Sequence, residues 1–287
     1  MITPASLASS LPPLVPGYAG KALTALQVLA ILTAYGNEAD AATRTPYSKF
    51  AGAETGKQAK EAAWMVSSRA GMMVIYAPSL AVNCFVLLGS SSNVPLPILP
   101  GPTPAAALCA VHFAKRCLEV NFLHRYSGSV ALRVSSFIGA YYALISYLIC
   151  SVASVSPSRR GLAVGTCLFA IGLVGNLYHH NLLADLRRRA ASGAKLNGKI
   201  RRYQAPRGGL FGLVAAPHYL FELLGWLGVA CVADHGNAYL VFLSMGSYLG
   251  GRARAQHEWN RSKFPEEWGK NSRIGWGRRR DLVPFLL

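Results

Sequence analysis

Apolar residues along this chain gather into long blocks separated by polar, basic stretches, instead of alternating within short segments. The blocks run over 22–35, 71–88, 104–123, 131–152, 162–183, 210–232 and 238–249. A bilayer core takes about 20 apolar residues in a helix, so the pattern predicts an all-α, polytopic membrane protein of about seven transmembrane helices. The first and last blocks are short and must lean on flanking residues. Pro12, Pro13 and Pro16 predict an irregular leader, and the Ser, Pro and Gly residues of 90–104 predict a turn region. Long polar stretches fill 37–69, 187–209 and 250–287, and no internal repeat is visible. The chain divides into 1–60, a leader with the first helix and a polar loop; 61–160, helices two to four; and 161–287, a C-terminal part.

Charge placement gives this pattern a direction. Lysine and arginine are held on the cytoplasmic side of short membrane loops. Of the 29 such residues, all but Lys21, Arg159 and Arg160 fall on one side when the seven blocks alternate. The N-terminus is then lumenal and the C-terminus cytosolic. A net charge of +17 would suggest nucleic acid in a soluble chain, but a hydrophobic fraction of 52% makes topology and anionic headgroups the better explanation. Cys84, Cys109, Cys117, Cys150, Cys167 and Cys231 lie in or beside apolar blocks without CxxC spacing, which predicts membrane-buried thiols, with no disulfide and no metal role. No basic n-region precedes an apolar stretch in the first twenty residues, so a cleaved signal peptide is not expected.

Polar residues inside apolar blocks are costly and therefore mark candidate sites. His112, Lys115, Arg116 and Glu119 follow i, i+3, i+4, i+7 spacing and share one helix face, with His124 and Arg125 just beyond. A buried ion-pair seam between helices would explain the same stripe. Asn176, His179, His180 and Asn181 close the fifth block before the basic run from Arg187. Adjacent histidines invite a metal, but the few, scattered histidines favour a polar lining for a ribose or phosphate. Gly208 and Gly209 permit close backbone approach, and a helix opening after them would offer its N-terminal amides to phosphate. Glu222, inside the sixth block, is harder to dismiss as structural. Arg252, Arg254, His257 and Glu258 mark the passage into the cationic tail, where an ordinary snorkelling helix end is the plain alternative.

Taken in order, these motifs resemble the steroid 5α-reductase family, which includes the very-long-chain trans-2-enoyl-CoA reductases. The resemblance rests on His112-Phe113-Ala114-Lys115-Arg116 with Leu118-Glu119, His124-Arg125-Tyr126-Ser127, Gly175-Asn176 and Leu186-Arg187. It continues through Pro206-Arg207-Gly208-Gly209-Leu210-Phe211, Pro217-His218-Tyr219 with Glu222, and Leu282-Val283-Pro284-Phe285. It covers about residues 60–287 and is densest after Gly161. It implies seven transmembrane helices and an NADPH-dependent reduction of a C=C bond conjugated to a carbonyl in a lipid, by hydride addition to the β-carbon. Residues 61–160 would then face the substrate, and 161–287 would form the NADPH side.

On that resemblance the cofactor residues are Arg116, Asn176, His180, Arg187, Arg207, His218, Glu222 and Arg252, since pyrophosphate and a 2′-phosphate call for several arginines. The sequence departs from the steroid-reducing members in two places. Ser68 stands where they carry a Glu after an Ala-Trp pair, here Ala63-Trp64, and Phe113 stands where they carry a Tyr. Some other donor must then meet the carbonyl oxygen as negative charge develops, and Tyr126, Tyr219, Ser68 and His124 are the candidates. Lys115-Arg116-x-Leu118-Glu119 and His124-Arg125-Tyr126-Ser127 lean towards the enoyl-CoA reductase branch, whereas Ser67-Ser68-Arg69 to Tyr76-x-Pro78 looks like a plant-type branch. An isoprenylcysteine-type methyltransferase and a lipid-binding scaffold without turnover are the competing readings.

Overall fold

The computed structural model describes residues 12–46, 64–89, 101–191, 195–196, 199–200, 204–269 and 279–283. Among the described residues, a helix falls on each of the seven apolar blocks: α1 (Gly17–Ala39), α2 (Ser68–Gly89), α3 (Pro104–Leu118), α4 (Leu132–Val152), α5 (Arg159–Ala191), α6 (Pro217–Ala233) and α7 (Gly236–Lys263). A short α8 (Pro265–Trp268) follows. By length and composition α1, α2, α4 and α5 can each cross a membrane, and α6 is apolar but shorter at 17 residues. The chain is accordingly a multi-pass membrane protein. Leu29, Leu32, Phe85, Phe122, Phe137, Leu144 and Val174 point outwards, as expected where hydrocarbon is the solvent.

Boundaries depart from the sequence expectation where local chemistry intervenes. The 210–232 block is interrupted: Gly209–Gly212 forms a 3-10 turn and α6 starts at Pro217, where proline's missing N–H costs nothing. The α-helix expected after Gly208 and Gly209 thus begins only at Pro217, behind this 3-10 turn. At the other extreme, α5 and α7 extend far beyond their apolar blocks, because Arg and Lys favour a helix as well as Leu does. The all-α expectation also misses two small antiparallel ribbons. β1 (Met65–Ser67) pairs with β2 (Ser129–Ala131), and β3 (Lys195–Leu196) pairs with β4 (Lys199–Ile200). Lys115 and Arg116, counted with the cytosolic loop charges, lie inside α3, where Arg116 is buried. Cys109, Cys117 and Cys150 are buried as expected, but Cys167 is exposed on the outer side of α5; all six thiols are free. Lys49, Lys57, Lys60, Lys270, Arg273, Arg278, Ala63 and the closing Pro284-Phe285 lie outside the described residues.

Lipid is as apolar as leucine, so helices within it associate through close packing and polar contacts. The α5–α6 pair shows the first. Gly165 and Gly172 on α5 face Gly228 and Gly225 on α6, and a methyl at Gly172 would lie 2.4 Å from the Gly225 nitrogen. The α1–α7 pair shows the second. Buried Asn237 accepts from the Val15 N–H (2.9 Å) and donates to Gln27 (2.6 Å), while buried Arg252 pairs with Glu38 at 2.9 Å. Between α2 and α4, Pro78 deprives the Val74 carbonyl of its helical donor. Gly139 approaches that same carbonyl so closely that a Cβ would stand 2.4 Å from its oxygen.

Gly228→Ala, whose new methyl would stand 2.5 Å from the Gly165 carbonyl oxygen, is expected to cost about 1–3 kcal/mol through overpacking. Thermal unfolding in detergent measures this as a lowered midpoint. Gly246→Ala, which meets nothing nearer than 4.0 Å, should leave the midpoint unchanged or raise it.

Candidate active site

Glu119 organises the polar interior. It begins a π turn (Glu119–Leu123) that prolongs α3, a distortion that widens a helix and recurs at functional sites. Its buried carboxylate receives Lys115 Nζ at 2.8 Å, Arg116 Nη1 at 2.7 Å and His180 Nδ1 at 3.0 Å. The first two arise within one helix, as the i, i+3, i+4 stripe predicts, and the third comes across from α5. His180 Nδ1 also lies 3.1 Å from Arg116 Nη1. A proton on Nδ1 serves the carboxylate, and the guanidinium proton is then left for Glu119.

The network continues in both directions. Arg116 Nη2 donates to the Tyr76 hydroxyl of α2 at 2.6 Å, with the guanidinium 4.6 Å from that ring's centre. Lys115 donates to the Asn176 side-chain oxygen on α5. The Asn176 amide donates to the His218 carbonyl at 2.8 Å and reaches Glu222 of α6 at 3.5 Å. The His180 and His218 rings lie 5.4 Å apart. Tyr76, Arg116, Glu119, Lys115, Asn176 and Glu222 thus form one polar path across α2, α3, α5 and α6. Beside it is a small crevice lined by His112, Lys115, Asn176, Glu222 and the glycines Gly172 and Gly225.

Five of the predicted residues, Arg116, Asn176, His180, His218 and Glu222, meet here. The remaining arginines are placed elsewhere. Exposed Arg187 donates to the Arg125 carbonyl at 2.7 Å, and Arg207 pairs with Glu267 at 3.1 Å. Arg252 is almost fully buried against Glu38 and the Thr45 carbonyl. Of the predicted carbonyl donors, His124 stands nearest this centre, its ring 4.9 Å from His180 and 5.8 Å from Tyr126. Tyr219 packs beside Ala216, Ala253 and Leu282, and Ser68 opens α2 with its N–H bonded to the Gly128 carbonyl at 3.1 Å.

Glu119, His124 and His180 bring three metal-capable atoms within 4.8 Å of one another. Lys115 and Arg116 already neutralise that carboxylate, so a divalent cation would enter against two fixed positive charges. The set is better suited to anchoring helices than to holding a metal.

His179, grouped with His180 in the sequence, does something different. Its Nδ1 lies 2.7 Å from the Gly175 carbonyl, so Nδ1 carries the proton and Nε2 accepts the Leu210 N–H at 3.1 Å. Its ring stacks on Phe221 at 5.2 Å. Gly209 sits at φ +49°, and a Cβ there would stand 2.5 Å from Nε2. Gly209 is thus explained by contact with an imidazole and Gly208 by its positive φ of +85°, and Leu210 contributes no amide to a phosphate.

A family profile described as 3-oxo-5-alpha-steroid 4-dehydrogenase matches residues 133–287. Human 3-oxo-5-alpha-steroid 4-dehydrogenase 1 is 29% identical over 237 residues, covering 77% of this chain and 81% of its own. A very-long-chain enoyl-CoA reductase of Dictyostelium discoideum is 27% identical over 188 residues, 63% of this chain and 57% of its own. A tomato steroid 5-alpha-reductase is 30% identical over 123 residues, 43% of this chain and 41% of its own.

Two measurements check this architecture. His179→Phe removes the acceptor of the Leu210 N–H, a loss of about 1–3 kcal/mol, and hydrogen exchange over 205–212 should quicken while α1 and α7 stay protected. Burial, reinforced by His180 and Arg116, pushes the His124 imidazole from 6.5 down to about 3. The unfolded chain therefore binds the extra proton between these values, and stability falls as pH drops below about 6.5. His124→Asn should flatten that part of a pH–stability curve.

Proposed function

The chain belongs to the 3-oxo-5-alpha-steroid 4-dehydrogenase family, and on that premise we propose that it is an oxidoreductase acting on CH–CH groups. It uses NADPH to reduce a C=C bond conjugated to a carbonyl in a membrane lipid of the 3-oxo-Δ4 steroid type. The observation that carries this reading is the polar path through four helices, ending beside a crevice with Asn176 and Glu222 in its wall. Ionisable groups so deep in an apolar bundle are costly unless they are used. The residues present also fit the cofactor's demands: an amide and a carboxylate on one wall for a carboxamide, open space beside Gly225, and a buried Arg116 Nε with no partner among the described residues.

NADPH, when bound, supplies the hydride that ends on the β-carbon. Asn176 and Glu222 orient the reactive ring, while His180, His218 and Arg116 shape the adjoining sugar end. Arg187 and Arg207, both exposed, would meet the phosphates with planar forks suited to them, Arg207 by leaving Glu267. Arg252 serves by holding α7 to α1 through Glu38, and its guanidinium is already spent there. The seven helices cross an endoplasmic-reticulum membrane with the N-terminus lumenal and the basic loops and tail cytosolic, which opens the phosphate side to soluble NADPH. A second reading, very-long-chain trans-2-enoyl-CoA reduction, draws on the Lys115–Glu119 pair at 2.8 Å, the Lys-Arg-x-Leu-Glu signature folded into the centre of the network.

Detergent-purified full-length protein, offered a 3-oxo-Δ4 steroid and a long-chain trans-2-enoyl-CoA separately, should oxidise NADPH with one of them. Glu222→Gln should lower kcat/KM roughly 10- to 100-fold, the worth of one hydrogen bond to a charged group. Methyl transfer from S-adenosylmethionine, or NADPH binding with no reduction of either lipid, would overturn the reading.

A further inference from the structure

Hydride addition to a conjugated C=C leaves an electron pair on the carbonyl oxygen, and a fixed donor aimed at that oxygen is worth more than any other single contribution. We propose that Tyr76 of α2 is this donor. The inference rests on the reductase reading above and names the residue that completes it.

The geometry favours Tyr76 on three counts. Its phenol oxygen accepts from Arg116 Nη2 at 2.6 Å, and among the described residues nothing accepts the phenolic proton in return. That proton is therefore available, and the guanidinium behind it draws electron density from the oxygen, which strengthens the donor. Second, Tyr76 terminates the polar path that reaches Asn176 and Glu222, so it is coupled to the proposed cofactor side through Arg116, Glu119 and Lys115. Third, it stands where that path meets the apolar core. Its ring lies 6.1 Å from Tyr142 of α4, and Tyr142 lies 5.7 Å edge-on from fully buried Phe113 of α3. A lipid held among these rings would present its polar carbonyl to a phenol and its hydrocarbon to aromatic walls. The other donors are less suited: Ser68 is at the mouth of α2, Tyr219 packs against the tail, and Tyr126 lies on the loop after α3.

The step balances without further reactants. The hydride pair forms a C–H bond at the β-carbon; the C=C π pair moves to join the α-carbon to the carbonyl carbon, and the carbonyl π pair moves onto oxygen. Tyr76 O–H donates to that oxygen, and a solvent proton then closes the α-carbon and restores the carbonyl.

The test uses full-length protein with whichever lipid supports turnover. Tyr76→Phe should leave NADPH affinity unchanged and lower kcat roughly 100-fold or more, while Tyr141→Phe, on the exposed side of α4, should stay near wild type. Because Tyr76→Phe also removes an acceptor from Arg116, a second variant carries fluorotyrosine at position 76. A more acidic phenol loses its proton at lower pH, so the alkaline limb of the kcat profile should move down. A kcat for Tyr76→Phe within a factor of two of wild type, or a fluorotyrosine profile superimposed on wild type, would overturn the assignment and leave the reductase reading intact. Wild-type protein that binds NADPH but reduces no conjugated lipid would sink the reductase reading and the role of Tyr76 with it.

Discussion

A carboxylate buried in an apolar bundle has to be neutralised by its own protein, and in this chain that carboxylate is Glu119. Isolated, it would carry a desolvation penalty of several kcal/mol. Surrounded by Lys115, Arg116 and His180 it becomes the point through which α3 and α5 are held in register. Each of those partners has a further contact: Arg116 with Tyr76, Lys115 with Asn176. The polar path is thus a consequence of satisfying one buried charge. Every side chain added to it has its rotamer limited by the last, which is what a reaction site needs for preorganisation.

Helix packing around that path divides into two kinds of interface. The α5–α6 seam is glycine-lined and brings backbones together, so Asn176 can span to the His218 carbonyl and to Glu222. The α1–α7 interface is polar, with Asn237, Gln27, Ser247, Arg252 and Glu38 bonded across it. A glycine seam permits close approach but tolerates sliding, whereas hydrogen bonds fix register. Register at the glycine seam comes from the Asn176 bonds to α6, and the His179 clamp fastens the Gly208–Leu210 turn to α5.

The same observations separate positioning from chemistry among the arginines. Arg116 is buried at the centre of the network, Arg187 and Arg207 are exposed, and Arg252 is buried against Glu38. A guanidinium engaged with a buried carboxylate cannot bind a phosphate without abandoning that carboxylate, at a cost of about 3–5 kcal/mol. Exposure leaves Arg187, bonded to a backbone carbonyl, able to exchange that partner for an anion, whereas Arg207 would have to leave the buried carboxylate of Glu267. Burial gives Arg252 a role in holding the fold.

Hydropathy and charge are properties of a whole segment, and they were enough to determine the helical, multi-pass architecture and the position of each apolar helix. The i, i+3, i+4 stripe of α3 likewise displayed Lys115, Arg116 and Glu119 as one face before any partner was known. What lay beyond the sequence depends on single atoms meeting across helix crossings. Gly208 and Gly209 looked like a phosphate turn, and the tertiary structure made Gly209 the seat of His179. Arg252 looked like a cofactor arginine, yet its carboxylate lies at Glu38, at the other end of the chain. Tyr76 drew no attention as a donor, because a tyrosine in an apolar block is ordinary until a guanidinium is found 2.6 Å from its hydroxyl. Composition summed along a helix decides whether it enters the membrane; the crossing of α2, α3, α5 and α6 decides which polar atoms must answer one another there.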